Sequence, residues 1–208
     1  MEFIPVLEMN SLISKLDFYM LEHVCKHLRK WLDDGKDPVR VSVNFSRKNL
    51  IDINLTDSII EVIDRYNVPH EYIEVELTET TEDVLFSDLR RVVNGLRERG
   101  VFATVDDFGV GYSSINLIRE IPWDVLKVDK SFVPEKIEDE NISNKMFAHV
   151  VGIAHDIGLE CVVEGVETKE QIEILKKNGC KIAQGYYFDK PLPKPDFEER
   201  LDKKTYDL

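Results

Sequence analysis

The sequence predicts an α/β protein with a mainly parallel sheet of the (β/α)8-barrel type, about six strands of which are present. Three observations predict it. Apolar segments of strand length alternate with amphipathic segments of helix length along nearly the whole chain, and such alternation builds parallel sheets with crossover helices. Six strand ends carry an acidic, amide or lysine side chain: Asn44, Glu76, Asp106 with Asp107, Lys127, Glu164 and Gln184. Strand ends in a barrel converge on one rim, where chemistry is done. The competing architecture is an open doubly wound sheet, which would carry a Gly-rich turn after its first strand when it binds nucleotides. This chain reads VSVNFSRKN there.

The elements follow in order. A helix is expected over about 11–34, with Ile13, Leu16, Met20, Val24 and Leu28 on one stripe. Strand VRVSVN at 39–44 precedes a helix over about 56–66 that carries Ile59, Ile60 and Ile63. Strand YIEVELT at 72–78 precedes a helix over about 86–99 built on Leu89, Val92, Val93 and Leu96. Strand VFATVDD at 101–107 runs into a Gly-rich turn and a short helix near 113–119. Strand DVLKVD at 124–129 is followed by the acidic segment 134–144, read as a solvated connection or a partner-facing segment. Next come a helix over about 143–157, with Met146, Val150, Val151 and Ala154 inward, and strand ECVVEG at 160–165. Thr168 and Gln171 have the spacing of a capping box opening the next helix. Strand KIAQGYYF at 181–188 follows, and a last helix begins near Pro195, a residue suited to a first turn.

At 208 residues the chain can bury a sizeable core, and a single domain is the expectation. Its net charge of -13 argues against non-specific binding to duplex nucleic acid. Cys25, Cys161 and Cys180 lack zinc-ligand spacing, and so few cysteines suit a reducing cytosol. No apolar run reaches the length of a membrane span. The cytoplasm is the expected location.

Asp106 and Asp107 are adjacent, and neighbours on a strand point to opposite faces. Both reach one site only if the chain turns there, as Gly109 and Gly111 allow. The plainer alternative is a loop start with one aspartate capping the region of Ser113. Glu74 and Glu76 share a face, which is costly inside a dry barrel unless metals or donors meet them. A solvent-facing acidic edge is the alternative. Lys127 points away from Leu126 and Val128, together with Asp129, toward the interior or rim. Glu164 and Glu167 flank Gly165, one suited to metal or base work and the other to capping the next helix. His23, His70, His149 and His155 show no pairing pattern and are read as non-ligands.

Carboxylates, amides and a lysine, without a Ser–His or Cys–His pair, favour metal-assisted hydrolysis. Two ions about 4 Å apart activate a water and hold a phosphoryl group for in-line displacement. Oxygen donors suit Mg²⁺ or Mn²⁺ better than softer metals.

The segments EFIPVLE, VNFSRKNL, VELTET, DDFGVGYSSI, LKVDKSFV, VVEGVET and QGYYFDKPLP occur in this order. Together they resemble the EAL domain of bacterial cyclic-di-GMP phosphodiesterases. The resemblance implies a modified (β/α)8 barrel that linearises cyclic-di-GMP to pGpG with Mg²⁺ or Mn²⁺. By position it implies Asn44, Glu76, Asp106 and Asp107 as metal ligands, and Glu164 as the catalytic glutamate near the attacking water. It implies that Lys127 orients that water, and that Glu167 and Gln184 complete the site. Thr78 and Glu79 match positions that hold the DDFG loop, which also shapes the family's dimer contact. Val110 stands where the family commonly has Thr. An upstream diguanylate cyclase-type or sensor domain is implied from the family alone.

The family's Glu-Ala-Leu motif lies upstream of the segment matching EFIP, and its glutamate binds metal. The expectation is therefore an N-terminally truncated barrel, without the first two strands of the family and with weakened metal binding. Three explanations stay open: a piece of a longer protein, strands supplied by another chain, or an open sheet that binds metal poorly. The alternative function is a catalytically inactive cyclic-di-GMP-binding sensor or protein-interaction module.

Overall fold

The computed structural model describes residues 4–10, 12–78, 86–109, 115–135 and 141–206. Helices α1 (Ile4–Met9) and α2 (Ile13–Asp33) lead into β1 (Val41–Asn44), α3 (Leu55–Arg65), β2 (Ile73–Thr78), α4 (Phe86–Glu98) and β3 (Phe102–Phe108). Then come α5 (Ile115–Glu120), β4 (Val125–Val128), α6 (Ile142–Asp156), β5 (Glu160–Val163), α7 (Lys169–Lys177), β6 (Ile182–Ala183) and α8 (Lys194–Lys203). Sheet order equals chain order, β1 to β6. A doubly wound sheet reverses direction at a switch point, and among the described residues no such reversal occurs. Among the described residues no helix is long and apolar enough to cross a membrane.

The chain divides into two compact units, with the boundary inside β3 after Thr104. The first holds α1 to α4, β1, β2, the start of β3 and α5. Strands β1 and β2 pair in parallel, Val41 opposite Ile73 and Asn44 opposite Glu76. Ile73, Val75 and Leu77 on one face of β2 are buried, and so are Glu74 and Glu76 on the other. Burial on both faces is expected for a parallel strand. Glu74 is stabilised by Arg40, whose Nε lies 2.7 Å from Glu74 Oε2 while its guanidinium covers the Phe102 ring. Leu89, Val92, Val93 and Leu96 of α4 are buried as the periodicity predicts.

Helix α2 departs from the expected stripe. The buried set is Ile13, Asp17, Leu21, Cys25, Leu28 and Trp31, whereas Met20 is exposed. The helical period is kept but the face is rotated by about one residue, with the Asp17 carboxylate set into the buried row.

The second unit holds the end of β3 and everything from Asp124 onward. Strands β4 and β5 pair in parallel, Val125 opposite Glu160, and β5 pairs with β6, Val162 opposite Ile182. In α6, Phe147, Val151 and Ala154 are buried while Met146 is half exposed, so Phe147 takes the inward place expected of Met146. Asn141 caps α6 by accepting from Ser143 N–H at 2.8 Å; residues 136–140 of the acidic segment lie outside the described residues. The Thr168–Gln171 capping box forms with both reciprocal bonds, at 3.2 and 3.0 Å.

Strand β6 is shorter than the expected 181–188. It ends at Ala183 because the chain turns at Gly185, where the Phe188 N–H donates to the Gly185 carbonyl. A Cβ on Gly185 would lie 2.2 Å from the Val166 carbonyl oxygen, so only glycine permits this approach.

Candidate active site

In the second unit the carboxyl ends of four strands bring together five of the expected residues. Asp106 and Asp107 belong to the last residues of β3, Lys127 to β4, and Glu164 and Gln184 directly follow β5 and β6. Backbone bonds carry the ladders past the strand ends. Asp129 N–H donates to Phe108 O, Glu164 N–H to Val128 O, and Gln184 N–H to Val163 O.

Two adjacent aspartates converge because Asp107 has left-handed backbone geometry, φ 57°. That conformation is uncommon outside glycine, with Asp and Asn the usual exceptions. It breaks the alternation of faces, and oxygens of Asp106, Asp107 and Glu164 all lie within 4.8 Å of one another. The turn foreseen at Gly109 thus begins at Asp107 itself. Gly165, at φ 62°, turns the chain directly after Glu164, and a Cβ there would meet the Lys130 side chain at 2.5 Å.

Lys127 is buried, with Nζ 2.6 Å from Glu164 Oε1 and 3.4 Å from Asp106 Oδ1. Gln184 Nε2 donates to the same Glu164 oxygen at 2.5 Å. Asp106 and Glu164 therefore share the Lys127 ammonium. Asp106 Oδ1 is buried and accepts no hydrogen bond; its contact with Lys127 is ionic. Hard oxygen donors with one such oxygen turned inward fit a hard divalent cation.

Glu167 is half exposed and pairs with Lys130 at 3.7 Å, outside the carboxylate group. Asp129, a residue the sequence reading placed inward without a role, accepts from Ser131 N–H at 2.8 Å. Its burial raises the carboxyl pKa, but the bonds from Ser131 and the charge of Lys130 outweigh that and hold it below the ordinary value. Asp129, Glu167 and Gln171 line a cleft of about 810 Å³ with Asn141, Asn144 and Gly165, within the size range of ligand pockets.

In the first unit, Asn44 and Glu76 are direct partners at the ends of β1 and β2. Glu76 is 2% exposed and Asn44 is exposed. Thr78 ends β2 half-buried, and Glu79 and Val110 lie outside the described residues. Asp17 is the residue the sequence reading missed. Its Oδ2 accepts from Ser46 N–H at 2.8 Å and Asn49 Nδ2 at 2.7 Å, which holds the turn after Asn44. Burial pushes its pKa up, against those two bonds. The signal was a carboxylate on the stripe with Ile13, Leu21 and Leu28.

Comparison with known proteins decides the family. The EAL domain model matches residues 1–191. The chain belongs to the EAL domain family. It is 35% identical over 211 residues to the cyclic di-GMP phosphodiesterase NbdA of Pseudomonas aeruginosa, covering 99% of this chain and 26% of that protein. It is 32% identical over 202 residues to the cyclic di-GMP phosphodiesterase PdeR of Escherichia coli, covering 95% and 30%. The chain thus spans about a quarter of the length of the curated relatives it matches. The solved EAL domain of Mycobacterium smegmatis DcpA superposes with a TM-score of 0.84 at 28% identity, covering 94% of this chain and 87% of that one. The PaMucR phosphodiesterase in complex with c-di-GMP gives 0.83 at 29% identity, covering 94% and 85%. The fold of this EAL domain is therefore the TIM-like (β/α) type that the strand order suggests.

Proposed function

We propose that this EAL domain hydrolyses cyclic-di-GMP to pGpG. The observation that carries the reading is the convergence of Asp106, Asp107 and Glu164 within 4.8 Å, beside Lys127, in an EAL-family chain. Asp106 and Asp107 would hold Mg²⁺ or Mn²⁺ with Glu164 beside them as the catalytic glutamate, and Asn44 and Glu76 are proposed as metal ligands from their family positions. Such an ion supplies Lewis-acid stabilisation of phosphoryl charge and a more acidic bound water.

The chain's own residues carry the other roles. Glu164 accepts the proton of the attacking water as general base. Water adds to one phosphorus, the bond from that phosphorus to the 3′ oxygen breaks, and the 3′ oxygen takes a proton from solvent while Glu164 returns its proton to solvent. Lys127 and Gln184 hold the Glu164 carboxylate in place from one side, and Lys127 offsets charge. Glu167 and Thr78 act as supporting residues, as does Glu79. The cleft beside Gly165, lined by Asn141, Asn144 and Gln171, is the place proposed for a polar ligand. We place the domain in the cytoplasm, as the cysteine usage suggests, as one EAL module beside other domains of a signalling protein. A homodimer through the DDFG region belongs to the same reading.

The test is incubation with cyclic-di-GMP and Mn²⁺ or Mg²⁺, followed by chromatography for pGpG. Metal-dependent appearance of pGpG is the expected result. Tight binding of cyclic-di-GMP without turnover would overturn the enzymatic reading and assign a sensor or interaction module instead.

A further inference from the structure

The short helical turn Lys130–Phe132, one residue past β4, packs behind two of the site carboxylates. Hydrogen bonds fix the turn. Asp129 N–H donates to Phe108 O at 3.2 Å, and the Asp129 carboxylate accepts from Ser131 N–H at 2.8 Å. Phe132 N–H and Val133 N–H donate to the carbonyls of Asp129 and Lys130, at 3.0 and 3.1 Å. Val133 is buried, Phe132 half-buried and Lys130 exposed. The two ends of the turn meet two glycines, Gly109 shortly after Asp107 and Gly165 directly after Glu164. A Cβ on Gly109 would lie 2.9 Å from Phe132 Cδ2, 3.2 Å from Cγ and 3.3 Å from Cβ. A Cβ on Gly165 would meet the Lys130 side chain. The Phe132 side chain therefore packs directly on the backbone of the turn that begins at Asp107.

That backbone needs support. Asp107 at φ 57° and Gly109 at φ 108° both have left-handed geometry, and a residue with a Cβ persists there only where its surroundings hold it. The approach of Asp106, Asp107 and Glu164 oxygens to within 4.8 Å of one another depends on that geometry. We propose that Phe132 is a positioning residue of the carboxylate site, whose ring holds the Asp107–Gly109 turn and, through it, the Asp107 carboxylate where a divalent cation is bound. Phe132 is not itself a ligand; it acts through Asp107. The assignment rests on the reading of Asp106 and Asp107 as metal ligands. Residues that orient a ligand from behind are worth about 10–100-fold in metal affinity. Lys130 has a weaker claim, because its side chain is exposed and its contact is with the turn after Glu164.

The test is calorimetric titration with Mn²⁺ beside urea unfolding, on the full chain and its variants. Phe132→Ala is expected to bind Mn²⁺ about tenfold more weakly or worse. Phe132→Leu keeps carbon atoms at the β, γ and δ positions that face Gly109, and its affinity is expected within about twofold of the parent. Phe132→Val drops the closest atom, Cδ2, with a smaller cavity, and gives the same direction of change where Phe132→Ala does not fold. Val133→Ala truncates the buried neighbour and is expected to lose stability while keeping Mn²⁺ affinity, which separates positioning from general loosening. On an Asp107→Gly background Phe132→Ala should add less than about twofold, because the carboxylate it positions is gone. Unchanged Mn²⁺ affinity in Phe132→Ala and Phe132→Val, an equal loss in Val133→Ala, or the same loss on both backgrounds would overturn the proposal alone. A parent that takes up no Mn²⁺ would overturn the metal reading, and the proposal with it.

Discussion

Lys127 Nζ lies 2.6 Å from Glu164 Oε1, with the two side chains only 9% and 17% exposed. Two buried charges at this separation depend on each other, and removing one strands the other. The members are not equivalent, however, because Lys127 also faces Asp106 at 3.4 Å. Glu164→Gln removes one of three crowded carboxylates and can keep its contact with Lys127. That variant is expected to lose turnover by about 10²–10⁴-fold with little loss of folding stability. Lys127→Met leaves the carboxylates to repel one another and is expected to lower stability by about 3 kcal/mol in the absence of divalent metal. Urea unfolding with and without Mn²⁺, beside a pGpG assay, separates the two effects. An unchanged rate in Glu164→Gln would refute its role as base.

Asp107 offers a second separation of stability from function. Its φ of 57° is a conformation that costs a residue with a Cβ roughly 1–2 kcal/mol. Glycine removes that cost but adds backbone freedom in the unfolded chain. Asp107→Gly is therefore expected to be as stable as the parent or more so, while Mn²⁺ affinity falls about tenfold or more. Asp107→Ala loses the ligand and keeps the strain. Calorimetric metal titration and urea unfolding of both variants check this; equal Mn²⁺ affinity in Asp107→Gly would exclude Asp107 as a ligand.

His70 should make the protein pH-sensitive near neutrality. Its ring faces an acceptor on each nitrogen, Asp64 at 2.8 Å and the Arg99 carbonyl at 2.5 Å. Both are satisfied as donors' partners only by the doubly protonated ring. Burial lowers the pKa, but the bond to Asp64, the bond to Arg99 and the charge of Asp64 outweigh it and raise it above the ordinary 6.5. The folded value exceeds the unfolded one, so the contribution is full below pH 6.5 and is lost as pH rises through the higher folded value. Melting temperature followed upward from pH 6 should decline more in the parent than in His70→Gln. Parallel curves would remove His70 as the cause.

Most elements were legible because their periodicities are strong: α4 buries the four residues its spacing selects. The capping box at Thr168 was legible for the same reason, since a local spacing suffices. The end of β6 was not. Its limit comes from the close approach of Gly185 to the Val166 carbonyl, a contact between residues 19 apart in the chain that no local pattern encodes. Of the site residues, the strand-end positions of Asp106, Asp107, Lys127, Glu164 and Gln184 were visible in sequence, but their mutual distances were not. Two adjacent aspartates share a site only through the backbone of Asp107, and sequence alone assigned the turn to the glycines that follow.

Asp17 shows what a single carboxylate in an apolar row can do. Ser46 N–H and the Asn49 amide both donate to its Oδ2, and these donors sit in the turn that follows Asn44. Asp17→Ala strands both donors in a buried setting and should cost about 2 kcal/mol. Asp17→Asn keeps an acceptor oxygen at the same place and should cost less than about 1 kcal/mol. The two also differ in pH dependence. Burial comes first among the causes and raises the folded pKa of Asp17 above 3.8, despite the bonds from Ser46 and Asn49. The stabilising contribution of the protonated form is thus present below pH 3.8 and is lost as pH rises through the folded value. Asp17→Asn should flatten that stretch of the stability curve while leaving the alkaline limb unchanged. Urea midpoints measured upward from pH 3.5 for the three proteins test this, and a slope in Asp17→Asn equal to the parent's would place the titration elsewhere.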